Sequence, residues 1–341
     1  MKQYQLYSIL FIVTLFFGCS KENAEKVDTH EIEIYGWLVP LDELVIYKDK
    51  LDRIKSIDHP TFNNSKDVFV DSNEEVLVYQ FENQVKIYPI RAIWGNEIVN
   101  DQQGDHYFSV SYCPLTGSGV AFNRFLNDSV TTFGVSGNLF NNNLIPYDRN
   151  SGSFWSQMKL KSIKGPLGDL ELQHEFLLHT IYSTAIAAYP EALILSDSAG
   201  SHECDSICLP PAVKSTVGSN FYTDNYFGVI KNDEAIVFDY KLFESGIQVF
   251  QTKFKSYSLI VAGSEEFGFA VAFINKGSEN FQALNGQLPE IMTDSQGNVY
   301  DLFGKITKGP KKGQWLSAPD SYSAKKYAWE LLFEKIEIFE K

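Results

Sequence analysis

Short runs of apolar and aromatic residues, closed every few positions by Asn, Asp or Gly, constrain this chain more than any other feature. Glu75–Phe81 (EVLVYQF) and Gln84–Tyr88 (QVKIY) flank Glu82-Asn83. They read as a β-hairpin, because β-branched and aromatic residues suit a pleated surface and Asn tolerates the left-handed backbone of a tight turn. Tyr107–Tyr112, Gly119–Phe125 and Val130–Val135 read as further strands. Helical spacing of apolar residues is clearest over Leu41–Lys50, Phe176–Tyr189 and Tyr322–Ile338,. An aromatic content of 14% is far too high for a disordered chain,. At about 150 residues per domain, 341 residues predict two units or one large one,.

Laid side by side, the two halves match in order. Val78–Tyr88 aligns with Gly228–Phe238 at an offset of 150, and Asp148–Gly165 aligns with Asp294–Gly309 across a two-residue gap. The helix ending at Tyr189 then aligns with the one from Tyr322. The expected fold is therefore β-rich α+β: two related lobes from an internal duplication, each a mostly antiparallel sheet with a few helices. The first lobe spans residues 31–195 and the second, diverged lobe 226–341, with residues 196–225 as linker.

The N-terminus reads as an address. Lys2 precedes an apolar run from Ile9 to Phe17, followed by Gly18 and Cys19. The run is too short to span a bilayer and suits a signal-peptide core. Phe16-Phe17-Gly18-Cys19 resembles a bacterial lipobox, which implies cleavage after residues 1–18 and a lipid on Cys19. Residues 19–30 are polar and read as a tether,. Cleavage removes one charged group, Lys2, so the body carries -15 against -14 for the whole chain. That balance excludes nucleic acid as a partner, since phosphate binding needs a basic surface. The expected setting is the cell envelope, membrane-anchored through the lipid and facing the periplasm or exterior, with a small molecule or an envelope protein as partner.

Polar residues that do not suit a plain core gather between 89 and 157. The candidate pocket comprises Asn96, Glu97, Asp101, Cys113, Thr116, Asn138, Asn143, Tyr147, Asp148, Arg149, Trp155 and Gln157. Simpler readings exist: Asn-rich turns satisfy their own backbone, Asp148-Arg149 can be an ion pair that fixes a turn, and a single Cys113 can be a small buried hydrophobe. His59, His106, His174 and His179 read as surface or capping residues. There is no phosphate-binding Gly-x-x-x-x-Gly-Lys loop and no His-Glu-x-x-His zinc motif,.

The motifs resemble a bacterial family, domain of unknown function 3179. The resemblance is carried by Gly36-Trp37 with Pro40, Ile57-Asp58-His59-Pro60, Tyr88-Pro89 and Asn96-Glu97-Ile98-Val99-Asn100-Asp101. It continues through Ser111-Tyr112-Cys113-Pro114-Leu115-Thr116-Gly117, Phe133-Gly134-Val135-Ser136-Gly137-Asn138-Leu139, Tyr147-Asp148-Arg149, Trp155-Ser156-Gln157 and Gly165-Pro166-Leu167. It covers residues 36–195 strongly and the second lobe weakly, and it implies no activity. The family pattern has His at Asn96 and a second Cys at Thr116. Asn and Thr offer a metal neither imidazole nor thiolate, so no metal and no cofactor is expected here.

Cys204 and Cys208, spaced Cys-x-x-x-Cys in the linker, leave three readings open: a disulfide, a soft-metal or redox pair, or free thiols,. A further reading has them stand in for the Cys missing at Thr116. Two functional hypotheses follow. One is a lipid-anchored ligand-binding or scaffold protein. The other is a thiol-dependent metal-handling or redox protein, or an enzyme, centred on Cys113 with Glu97, Asp101 and Arg149.

Overall fold

The computed structural model describes residues 36–196, 224–244, 246–277 and 279–341. Cys19 and the Cys204/Cys208 pair lie outside the described residues. Strand accounts for 49% and helix for 9%, in many mostly antiparallel sheets. Among the described residues no helix is long and apolar enough to cross a membrane.

The hairpin Glu75–Phe81 and Gln84–Pro89 forms as expected, with Glu82 in the left-handed region at φ 53°. Strand Leu177–Ile181 flanks it antiparallel on one side, and Leu193–Leu195 parallel on the other. The second half repeats this arrangement. Hairpin Asn225–Lys231 and Glu234–Asp239 is flanked antiparallel by Ser321–Lys325 and parallel by Lys335–Ile338. The registers agree with the 150-residue offset, since Val78 faces Ile87 and Gly228 faces Val237. Between hairpin and flanking strands, each half carries a three-stranded antiparallel meander, Ile98–Gln103, His106–Cys113 and Ser118–Asn123 in the first, Gln248–Phe254, Tyr257–Ser264 and Phe269–Ile274 in the second. A further sheet follows in each. There Asp148 and Asp294 each hold a tight turn by accepting backbone N–H groups, and Gly165 and Gly309 take near-identical φ of 108° and 106°. Each of these glycines lies against the turn backbone, where a Cβ would fall 2.6 Å from Ser153 or 2.5 Å from the Gly297 carbonyl.

The helices are shorter than the apolar periodicity predicts. Phe176–Tyr189 divides into strand Leu177–Ile181 and helix Tyr182–Ala188. Tyr322–Ile338 divides into the end of strand Ser321–Lys325, helix Lys326–Leu332 and strand Lys335–Ile338. Both strands are buried at every position but the last, so no alternation of buried and exposed residues marks them off from the helix that follows,. Leu41–Lys50 is not a helix. It holds one 3-10 turn, Leu41–Glu43, with no buried residue, and a two-residue strand at Leu44–Val45. Without an apolar face to pack, a helix that short does not persist. Val130–Val135 divides between Ser129–Val130 and Phe133–Phe140.

The two halves share their cores. One face of the first hairpin packs Leu77, Tyr79 and Tyr88 onto its own meander through Val99, Phe108 and Val110. Its other face carries Val78 and Ile87 with Ala185, packed against Ile260, Phe269 and Phe273 of the second half. The second hairpin does the reciprocal. Phe227, Val229 and Phe238 meet Leu259 and Val261, while Val237 and Trp329 join Ile98, Phe122, Phe133 and Trp155 of the first half. The Tyr322 hydroxyl donates to the Met158 carbonyl across the same junction.

Candidate functional site around Glu97 and Cys113

The one-turn helix Ile90–Ile93 ends because Glu97 adopts φ 60°, and its N–H donates to the Ile93 carbonyl at 2.7 Å. That closing position favours glycine or asparagine, and a glutamate there costs about 1–2 kcal/mol. Strand Ile98–Gln103 begins at once, and the Tyr112 N–H donates to the Glu97 carbonyl. Glu97 is thereby held beside Cys113 on the neighbouring strand. Burial pushes the Glu97 carboxyl up to about 7. Burial also pushes the Cys113 thiol up, and the Glu97 charge adds to it, while hydrogen bonds from Thr116 and Leu144 partly offset both. The thiol lies 3.6 Å from the Asn142 carbonyl and is 2% exposed as a residue. At neutral pH it is protonated, which is the unreactive form.

Beneath Cys113 lies a closed polar network. Asn143 Nδ2 donates to Thr116 Oγ1 at 3.0 Å and to Gln157 Oε1 at 2.8 Å, and Thr116 and Ser118 hydroxyls sit 2.8 Å apart. Gln157 Nε2 donates to Ser111 Oγ, and Asn143 Oδ1 accepts from the Met158 N–H. All five side chains are buried, and each finds partners within the group, as buried polar groups require. Thr116, where the family pattern has Cys, is thus a structural member of this network. Asn96, where it has His, donates to the Lys55 carbonyl at 2.6 Å and pins the preceding loop.

The remaining candidates have other partners, so the twelve residues do not form one pocket. Asp101 is buried with Lys86 at 2.8 Å and accepts from the Tyr88 hydroxyl at 2.5 Å. Arg149 does not pair with Asp148. It donates to Asp52 at 2.9 Å, to Asp58 at 3.2 Å and to Ser56, while Tyr147 donates to Asp52 at 2.6 Å. Asp148 accepts from Ser151 and from Trp155 Nε1. Asn138 Oδ1 accepts the Tyr47 N–H. Two cavities, of about 330 and 240 Å3, are lined by none of the twelve.

Lys86, Asp52 and Ser118 escaped the sequence reading of the site, and Tyr88 entered it only as part of a motif. Only Lys86 carried a signal, as a charge among apolar neighbours on a buried strand. The histidines also differ from expectation. His59 is exposed, but His179 is buried against Glu75 at 3.1 Å. His174 is buried enough to push it down to about 4. His106 is hydrogen-bonded to the Tyr79 hydroxyl at 2.8 Å. Among the described residues no group of three or more His, Cys, Asp or Glu side chains is placed to hold a metal.

Fold and site together define a β-rich protein of two topologically matching halves, with a carboxyl and a thiol sharing one shielded corner. The chain belongs to the family described as protein of unknown function (DUF3179), which matches residues 51–335. The match extends across the second half, where the motifs are sparse, and begins after Gly36-Trp37 and Pro40. No curated protein and no solved structure matches the chain.

The Glu97 shift has a direct consequence. Folded Glu97 keeps its proton up to about pH 7, whereas an ordinary glutamate releases it near 4.5. Between those values the unfolded state binds fewer protons, so stability falls as pH rises. Glu97→Gln is expected to flatten that fall, checked by thermal melts at about pH 5 and about pH 7. An unchanged slope would assign the effect to the other carboxyls that burial pushes up, Asp301 to about 6 and Glu74 and Asp320 above their ordinary values.

Proposed function

We propose that this chain is a lipid-anchored protein of the bacterial cell envelope that binds its ligand without thiol chemistry. The observation that carries the second part is the closed network beneath Cys113. Thr116, Ser118, Asn143 and Gln157 satisfy one another, and the thiol above them is buried with its pKa raised. A nucleophilic or metal-binding Cys needs the opposite, an accessible thiolate near positive charge. The lipobox-like Phe16-Phe17-Gly18-Cys19 supports the anchor. The repeated strand order and register support descent of both halves from one duplicated unit.

The thiol-dependent reading is favoured by one feature, a carboxyl beside Cys113 that titrates near neutral pH and so has the pKa of a general base,. The two readings separate by experiment. Alkylation of Cys113 in the native protein is expected to be slow at pH 7 and to accelerate only on unfolding. Fast alkylation, or copper or zinc retained by the purified protein and lost in Cys113→Ala, would overturn the binding reading. Cells grown with a radiolabelled fatty acid are expected to label the chain, and Cys19→Ser is expected to abolish the label.

A further inference from the structure

We propose that the apolar surface formed by Leu38, Leu41, Val45, Ile46 and Tyr47 rests on the lipid bilayer to which the chain is anchored. Trp37, Val39 and Leu44 turn inward and pack against the core that contains Phe133, Phe154 and Trp155. Leu38, Leu41, Val45, Ile46 and Tyr47 are instead 41–66% exposed. A half-buried segment that faces water is apolar inside and polar outside, whereas this one is apolar on both sides. Six of the thirteen large apolar side chains exposed among the described residues fall within Leu38–Leu51. Such concentration, rather than scatter, marks an interaction surface. The backbone beneath it is fixed. Leu44–Val45 is the edge strand of a five-stranded sheet, with Leu44 opposite Phe140, and the Leu38 N–H donates to the Ile163 carbonyl at 2.8 Å. Asn141 ties the segment to the second half, donating at 2.9 Å both to Glu43 and to the carbonyl of the exposed Leu331.

The position of this surface in the chain identifies its occupant. Residues 19–35 separate Cys19 from Gly36, where the described residues begin, two positions before Leu38. A segment of that length spans at most about 60 Å. A lipid on Cys19 therefore keeps a bilayer within reach of this face at an effective concentration on the order of millimolar, and weak apolar contacts suffice to hold it there. The charges agree. The whole chain carries -14, yet within residues 36–55 Lys48, Lys50, Arg53 and Lys55 match Asp42, Glu43, Asp49 and Asp52 in number. This face thus lacks the negative excess that sets the rest of the chain against anionic headgroups. Tyr47 is followed by Lys48, and Lys50 Nζ lies 5.7 Å from the centroid of its ring. An aromatic ring with basic side chains around it suits the headgroup level of a membrane.

This inference rests on the lipid anchor proposed above, and its test separates the two. The mature chain, residues 19–341 with Cys19 unmodified, is sedimented with sucrose-loaded vesicles of phosphatidylcholine and phosphatidylethanolamine. Binding is expected at about 1–10 mM lipid, the scale that the tether sets, and is expected to persist in about 0.5 M salt because apolar contacts are not screened. The triple variant Leu41→Ser, Ile46→Ser and Tyr47→Ser is expected to lower the partition coefficient about tenfold or more, with an unchanged unfolding midpoint because the three side chains are exposed. Absence of binding by the native sequence, or undiminished binding by the triple variant, overturns the proposal. Self-association that the same variant abolishes, seen by analytical ultracentrifugation in place of vesicle binding, also overturns it and assigns the face to a second copy of the chain. Fatty-acid labelling that depends on Cys19, together with no vesicle binding, removes this inference alone. Vesicle binding that depends on the three side chains, with no fatty-acid label, removes the lipid anchor alone.

Discussion

Trp329→Ala is expected to lower stability by about 3–5 kcal/mol, the range for deleting a large buried aromatic, and to do so for both halves in one transition. The indole is fully buried, stacks on Tyr322 at 4.9 Å between ring centroids, and donates to the Tyr226 carbonyl at 3.2 Å. It belongs to the core that contains Phe122, Phe133 and Trp155 of the first half. It also has a matched partner. A Cβ on Gly228 would lie 2.4 Å from the ring, so only glycine admits the indole there. At the corresponding positions of the first half, Val78 and Ala185 share a core, so the bulk sits on the strand and the helix residue is small. The two halves differ in which partner is large, the helix residue in the second and the strand residue in the first.

That difference supplies a second variant. Gly228→Val alone is expected to destabilise by overpacking, yet in the Trp329→Ala background it fills part of the cavity and recovers part of the loss. Urea unfolding followed by far-UV circular dichroism and by fluorescence checks both points. Separate transitions for the two probes would show that the halves pack independently, and no recovery in the double variant would show that Gly228 and Trp329 do not share one packing site.

Asp101→Ala is the second large effect, expected at about 3–5 kcal/mol because it strands a buried charge. Lys86 Nζ lies 2.9 and 2.8 Å from the two Asp101 oxygens, with both residues almost fully buried, and its remaining donor reaches the Gln102 carbonyl at 3.0 Å. Removing the carboxylate also leaves the Tyr88 hydroxyl without its acceptor. Replacing both charges, Lys86→Met with Asp101→Leu, is expected to cost far less than Asp101→Ala, since no unpaired ion remains. Chemical denaturation of the three proteins at neutral pH measures the difference. Equal losses in single and double variants would mean that Asp101 acts through packing alone.

Much of the architecture was legible in the chain because it depends on local rules. The hairpins follow from short runs of β-branched and aromatic residues and from turn residues that accept positive φ, as at Glu82 and at Asn232-Asp233. The 150-residue offset appeared as aligned motifs, and the registers agree with it. The helices were misread for a physical reason, because buried strands such as Leu177–Ile181 carry no period that separates them from the helix that follows. The polar candidates were recognised as unsuited to a plain core, and most are indeed buried.

Their partners could not be read, because the ion pairs and hydrogen bonds join residues far apart in sequence. Arg149 follows Asp52 by 97 positions and Asp148 by one, yet it bonds to Asp52. By itself the sequence determined the strand-rich class, the turn positions, the repeated order of elements and the buried polar character of residues 96–157, all properties of short stretches of chain. Only the tertiary structure decided that Thr116 and Asn143 serve a closed network, that Glu97 and Cys113 share one corner, and that the two halves interlock around Trp329. Those outcomes depend on which distant surfaces exclude water together, and no local pattern encodes that.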